Sequence, residues 1–316
     1  MKKLLSLFTA AFLIFMTSCT STDNSSSDDS GKIKISATLF PQYDFARQIA
    51  GDKAEITLLL PSGMDSHSYE PTPADIININ KSDLFIYTGE YLESWANDIV
   101  GDIDTDKTHV LDVSSGIQLV KEEDEHHHDD EDEHHEEEHH HEYDPHIWTS
   151  PVIAMQMADN IAEALCETDS VNSDYYKQNA ENYKKQLQEL DSEFREIVAD
   201  GKRNTIYFGG KFALYYFTQE YGLDYVSAFY SCSGETEPSA KVMSEMISSI
   251  KENNIPVIYY EEIAEPTVAN MIADETGAKP LLFHSCHNVT PEDFRNGVTY
   301  IDLMKQNAVN LREGLS

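Results

Sequence analysis

Two α/β lobes joined by one long helix is the architecture that the chain predicts, and three observations predict it. From Lys32 onward, short apolar runs alternate with amphipathic stretches, the pattern of a parallel sheet covered by helices. The stretch from Ser173 to Asp200 then continues without Gly or Pro and with heptad-like apolar spacing, which reads as one helix of about 28 residues, roughly 40 Å long. Beyond Asp200 the alternation resumes. A helix of that length is more than one lobe needs, so it is expected to connect two.

The elements follow in order. "KIKISATL" reads as a strand, and "PQYDFARQIAG" as a helix closed by Gly51. "AEITLLL" is a strand, and "TPADIININKS" a helix with Pro73 near its start. "LFIYTG" and "THVLDV" are strands on either side of the helix "LESWANDIV". "SPVIAMQMADNIAEAL" is a helix opened by Ser150 and Pro151. After the long helix, the strands are "NTIYF", "DYVSAF", "PVIYYE" and "KPLLF". Between and after them come the helices "KFALYYFTQEYG", "SAKVMSEMISSIKENN", "PTVANMIADETG" and "YIDLMKQNAVNLREG". This divides the chain into an N-terminal lobe over 32–172, a connecting helix over 173–200 and a C-terminal lobe over 201–316. Each lobe is expected to be a parallel sheet flanked by helices, with a binding site in the cleft between them.

Ahead of the lobes, "MKKLLSLFTAAFLIFMTSC" carries Lys2 and Lys3, an apolar segment from Leu4 to Met16, then small residues. The segment is short of the roughly 20 residues a membrane span needs and fits an export signal. Met16-Thr17-Ser18-Cys19 resembles a bacterial lipobox, so residues 1–19 are expected to be a lipoprotein signal ending at a lipid-modified Cys19. Residues 20–31 then form a flexible polar tether. The expected location is extracytoplasmic, held to the cell membrane by the lipid.

The formal charge is −35, of which 13 carboxylates in the run 122–142 account for −13, leaving −22 (−35 + 13) elsewhere. That balance repels nucleic acid and attracts cations. The same run holds eight histidines: His126, His127, His128, His134, His135, His139, His140 and His141. It cannot be core, and it is expected to hold divalent ions weakly beside a sharper site. His135-Glu136-Glu137-Glu138-His139 matches H-E-x-x-H formally, but a run of this composition matches many patterns and lacks the packed helix that the protease motif requires.

Ligands in open parallel sheets bind beyond the carboxyl ends of the strands. Four cation-binding or cation-tuning groups follow strands: His67, His146, Lys211 at a predicted helix start, and His284 directly after "KPLLF". Imidazoles from His67, His146 and His284 suit a tetrahedral Zn²⁺, with water, Glu237 or Glu235 as the fourth donor. His287 is held in reserve. Asp144 either accepts from an imidazole N–H or caps the turn before Pro145, and Tyr69, Glu70 and Trp148 either order the cleft or simply pack. A Cys232–Cys286 disulfide is expected in an oxidising compartment, with free thiols or a cysteine zinc ligand as alternatives.

The segments "GMDSHSYEPTPADI", "YDPHIWTSP", "ALYYFTQEYGLDY", "ETEPSA" and "YIDLMKQNAVNL" together resemble the zinc-specific solute-binding lipoproteins of ABC metal importers, in the cluster that also contains manganese binders. The resemblance covers the chain from Lys32 onward. It implies a non-enzymatic protein, monomeric, that captures Zn²⁺ and passes it to a membrane permease driven by a cytoplasmic ATPase. Two positions depart from the family pattern. Lys211 stands where a His or Glu ligand is usual, and His284 where an Asp is usual. A protonated Lys has no lone pair to donate, so Lys211 is expected to leave the metal shell and act from behind it.

Other readings are manganese or iron on the same scaffold, or a surface adhesin that stores metal in its acidic loop. A zinc hydrolase lacks a recognisable general base. Because capture requires neutral imidazoles, affinity is expected to fall as pH drops through about 6.5.

Overall fold

The computed structural model describes residues 31–121, 143–229 and 237–316. The signal segment with Cys19, the tether up to Ser30, the acidic run 122–142 with its eight histidines, Cys232 and Glu235 lie outside the described residues.

Strands β1 (Ile33–Ala37), β2 (Ala54–Leu58), β3 (Leu84–Tyr87) and β4 (His109–Asp112) form a parallel sheet in the order β2-β1-β3-β4. Strands β5 (Thr205–Phe208), β6 (Asp224–Ser227), β7 (Val257–Tyr260) and β8 (Lys279–Leu282) form a second parallel sheet in the order β6-β5-β7-β8. The two plans are the same. In each, the strand order reverses between the first and third strands, where an open parallel sheet leaves a crevice.

Helices α1 (Phe40–Ala50), α2 (Pro73–Ile79), α3 (Ser94–Val100) and α4 (Pro151–Thr168) accompany the first sheet. α6 (Tyr215–Tyr221), α7 (Ala240–Asn253), α8 (Thr267–Thr276), α9 (Pro291–Asn296) and α10 (Tyr300–Leu315) accompany the second. Their ends follow local chemistry. Thr72 and Thr299 close reciprocal capping boxes with Asp75 and Asp302. Asn254 and Gly277 end α7 and α8 in left-handed conformations.

The long helix is α5, Ser173–Asp200, 28 residues. Tyr176, Ala180, Tyr183, Leu187, Leu190, Phe194 and Ile197 recur at alternating spacings of four and three and are all buried, one continuous seam. Tyr183 meets Phe45 of α1 (ring centroids 5.4 Å apart), and Phe194 meets Phe217 of α6 at 4.8 Å. One helix therefore packs its first half on one lobe and its second half on the other. A further tie runs from α1 to the start of α10: the Asp44 carboxylate accepts from the Tyr300 backbone N–H at 2.8 Å, and Arg47 donates to the Val298 carbonyl at 3.1 Å. The main core passes without a break through α1, α4, α5 and α10, with a smaller one between the second sheet and α7–α8. Among the described residues, no helix is long and apolar enough to cross a membrane.

Two elements differ from the sequence expectation. α6 begins at Tyr215, so Lys211 sits in the loop ahead of it and not at a helix start. The backbone there is committed elsewhere. A Cβ on Gly209 would meet Ala269 at under 3 Å, and Phe212 stacks on Tyr225 with centroids 4.0 Å apart. α9 went unpredicted because six residues are too few for a periodic signal, although Thr290 caps it through Asp293.

Candidate metal centre

His67 lies in the loop from β2 to α2. Asp65 Oδ1 folds that loop by accepting from the backbone N–H groups of His67 (2.8 Å) and Ser68 (3.2 Å). Gly63 takes φ 85° and donates to the Val289 carbonyl at 2.9 Å, while the Asn288 amide donates to the Pro61 and Met64 carbonyls at 2.7 and 2.9 Å. The segment after β8 is thus stitched to the His67 loop. It is also tied to Trp148, whose indole N–H donates to the Ser285 carbonyl at 2.8 Å, and to Phe40, whose N–H reaches the His287 carbonyl at 3.4 Å. His287 belongs to the second half of the chain but is anchored to the first lobe.

His67, His146 and His287 each offer a ligand atom, and these three atoms all lie within 4.8 Å of one another. Their ring centroids are 4.6 Å (146–287), 5.4 Å (67–287) and 5.7 Å (67–146) apart. His146 is fully buried, whereas His67 and His287 are half-buried.

Hydrogen bonds behind the rings set which nitrogen faces the centre. Asp144 Oδ1 accepts from the His146 backbone N–H and from its Nδ1, both at 2.8 Å, which leaves the Nε2 lone pair for a ligand role. The Asp144 backbone is held in turn, its carbonyl accepting from the Tyr216 hydroxyl at 2.7 Å. For His287 the chain has one more link. The Ser285 hydroxyl donates to Glu262 Oε1 at 2.6 Å, so its oxygen accepts from His287 Nδ1–H, and Nε2 is again the basic atom. Glu262 also accepts from the backbone N–H groups of Ser285 (2.7 Å) and His287 (3.2 Å). His287 Nε2 is buried with no hydrogen-bond partner. Burial, then the neighbouring His146, His67 and His284 rings, push the His287 pKa well below its ordinary range and keep the ring neutral. A neutral ring is the form that binds a metal.

His284, expected as the third ligand, does not join this group. Its Nδ1 accepts from the Cys286 backbone N–H at 2.9 Å, so the neutral ring carries its proton on Nε2 and neither nitrogen offers a lone pair. Asn307 clamps its backbone, accepting from the N–H at 2.7 Å and donating to the carbonyl at 2.8 Å. Cys286 turns the chain between the two histidines with φ 64°, and the reserve candidate His287 is the one brought to His67 and His146.

Of the expected Cys232–Cys286 pair, only Cys286 falls within the described residues. Cys286 is a free, fully buried thiol whose Sγ lies 3.8 Å from the His284 carbonyl, packed into the core and away from solvent. Cys166 is free as well.

Glu237 and Glu70 are exposed and outside the cluster. Tyr69 is buried, its hydroxyl donating to Asp75 at 3.1 Å, and Trp148 stands edge-on to both His146 and His287. Lys211 lines a cavity of about 250 Å³ together with His67, His287, Glu261 and Glu262. Sequence reasoning missed Ser285, Glu262 and the part played by Tyr216. Glu262 had a signal, since it directly follows the strand "PVIYYE" at a sheet end, but Ser285 had none.

Two parallel-sheet lobes spanned by one helix, with imidazoles gathered where the lobes meet, define a solute-binding protein for a transition-metal ion. The chain belongs to the family of zinc-uptake complex component A, periplasmic (ZnuA), whose model matches residues 35–314. It is 36% identical over 307 residues to the high-affinity zinc uptake system protein ZnuA of Bacillus subtilis, covering 97% of this chain and 95% of that relative. It is 32% identical over 313 residues to the zinc-binding lipoprotein AdcA of Streptococcus pneumoniae, spanning 61% of that longer protein. Among solved structures, the metal-dependent lipoprotein YcdH of B. subtilis superposes with TM-score 0.77 at 33% identity, covering 90% of this chain and 99% of that one. The Zn(II)-bound ZnuA-like domain of S. pneumoniae AdcA superposes with TM-score 0.75 at 29% identity over the same shares.

Proposed function

We propose that this protein captures Zn²⁺ outside the cytoplasm through His67, His146 and His287 and delivers it to an ABC permease with its cytoplasmic ATPase. One observation carries the ligand assignment: three imidazole donors within 4.8 Å of one another, two of them backed by acceptors that leave Nε2 as the donor atom. Imidazoles favour zinc over manganese or iron(II), which prefer harder carboxylate-rich sets. Relatives named for zinc uptake and zinc binding support the same cargo. The reading is one of binding and delivery, not catalysis. Export and lipid attachment at Cys19 complete it, supported by the lipobox-like Met16–Cys19 and by a relative named a lipoprotein. The acidic loop 122–142 ends four residues before His146, a placement suited to feeding ions toward the cleft.

Zinc titration of four variants tests the ligand set. His67→Ala, His146→Ala and His287→Ala are each expected to lose the tight site, while His284→Ala keeps it. Tight binding that survives His287→Ala and fails in His284→Ala would reverse the assignment. Competition between zinc and manganese on the intact site checks the cargo.

A further inference from the structure

The three ligand rings are all fixed to the first lobe. His67 and His146 sit in its loops. The His287 segment is bound to it through Asn288 on the Pro61 and Met64 carbonyls, and through the Trp148 indole on the Ser285 carbonyl. His146 also takes its orientation from within that lobe, from Asp144 two residues away. His287 does not. The group behind its ring, Glu262, stands just past β7, in the loop that leads to α8 of the second lobe.

The Glu262 side chain is 6% exposed and accepts from the Ser285 N–H (2.7 Å), the Ser285 hydroxyl (2.6 Å) and the His287 N–H (3.2 Å). An ionised carboxylate cannot donate, so the hydroxyl proton points at Glu262 and the hydroxyl oxygen receives His287 Nδ1–H. His287 Nε2 is buried with no hydrogen-bond partner among the described residues, which leaves the Ser285 contact to select the tautomer. The backbone that carries Glu262 is held against its preference. Ile263 takes φ 70°, which a β-branched residue rarely adopts, and the Ala264 N–H closes on the Glu262 carbonyl at 2.8 Å. Strain of this kind persists where surrounding contacts fix the backbone, and here those contacts join Glu262 to the His287 segment.

Resting on the three-imidazole reading, we propose that the first lobe holds the zinc and the second lobe sets how tightly. Glu262 is a positioning residue. Through the Ser285 hydroxyl it fixes the His287 proton on Nδ1, aims Nε2 at the ion and strengthens it as a donor, without touching zinc itself.

Two measurements on the full chain test this. Zinc affinity is read by titration against a competing chelator. The His287 tautomer is read from ¹⁵N spectra of the metal-free protein, its signals identified by their loss in His287→Gln. Ser285→Ala should weaken zinc about 10- to 100-fold and turn the single Nδ1–H tautomer into a mixture. Ser285→Thr keeps the hydroxyl and should restore both readings. Glu262→Gln keeps the size but can turn a donor toward Ser285, so it should mix the tautomers and weaken zinc about tenfold. A single tautomer and full affinity in Ser285→Ala overturn the proposal, as does a loss that Ser285→Thr fails to rescue. A Glu262→Gln variant that matches the unaltered chain in both readings overturns it as well. The underlying ligand reading fails separately, if His287→Ala binds zinc as tightly as the unaltered chain.

Discussion

Glu93 is 3% exposed, at the carboxyl end of the first sheet, and burial pushes its pKa up from 4.5 to about 7. Its Oε2 accepts from the Thr88 backbone N–H at 2.6 Å, with the Thr38 hydroxyl beside it and Asp112 adding a repelling charge. No cation balances it among the described residues. A carboxyl whose pKa is raised by folding adds stability that is complete below about 4.5 and is lost as pH rises to about 7. Each pH unit across that interval is worth about 1.4 kcal/mol, so the full loss is about 3 kcal/mol. Glu93→Gln keeps the shape and an acceptor for Thr88 but cannot ionise. The variant should therefore match the unaltered protein at pH 4.5 and exceed it by about 3 kcal/mol at pH 8. Urea unfolding of the metal-free protein, at half-unit steps from pH 4.5 to 8, measures the difference. A gap that stays constant with pH, or a variant less stable at pH 8, would refute the claim that this carboxyl is buried without compensation. Zinc affinity should not change, since Glu93 touches none of the three imidazoles.

Three further outcomes are expected. Asp144→Asn removes the charge that orients His146 and should weaken zinc binding 10- to 100-fold, about 1.4–2.7 kcal/mol, by competition titration. Gly210→Ala places a methyl in the Glu261 carboxylate and should cost about 1–3 kcal/mol in thermal or urea unfolding, with the loss reduced in a Gly210→Ala, Glu261→Ala double variant. In the metal-free protein, the lowered His287 pKa means that its stability contribution is full above about 6.5 and is lost as pH falls below that value. His287→Gln should accordingly flatten part of the acid side of the stability profile, measured by urea midpoints from pH 7.5 to 5.

The same depression of His287 modifies the simple expectation that capture weakens at an imidazole's ordinary pKa. A ring kept neutral by burial and by its neighbours remains a competent donor in more acid solution than a solvent-exposed histidine. The sequence shows the histidine but not the three rings crowding it.

The elements themselves were legible because each is announced by short-range chemistry. The strands read as apolar runs between turn residues. α4 declared itself through Ser150 and Pro151, and α5 through a periodic seam from Tyr176 to Ile197 that Gly or Pro never interrupts. His67 and His146 were legible for a related reason, since each follows a strand of the first sheet within a distinctive loop. The choice between His284 and His287 was not legible. They stand three residues apart in "HSCHN", and nothing in that string says that Cys286 turns the chain or that a backbone N–H occupies His284 Nδ1.

Periodicity, caps and strand ends are properties of neighbouring residues, so the chain by itself determined two parallel-sheet lobes, their bridging helix and a cleft rich in imidazole. Which rings converge, which nitrogen each presents and where Lys211 stands depend on contacts between residues far apart in the chain. Asn288 reaches Pro61, Trp148 reaches Ser285, and Glu262 reaches His287. Hydrogen bonds spanning 227, 137 and 25 residues leave no trace in local sequence, and only the packed tertiary structure decides them.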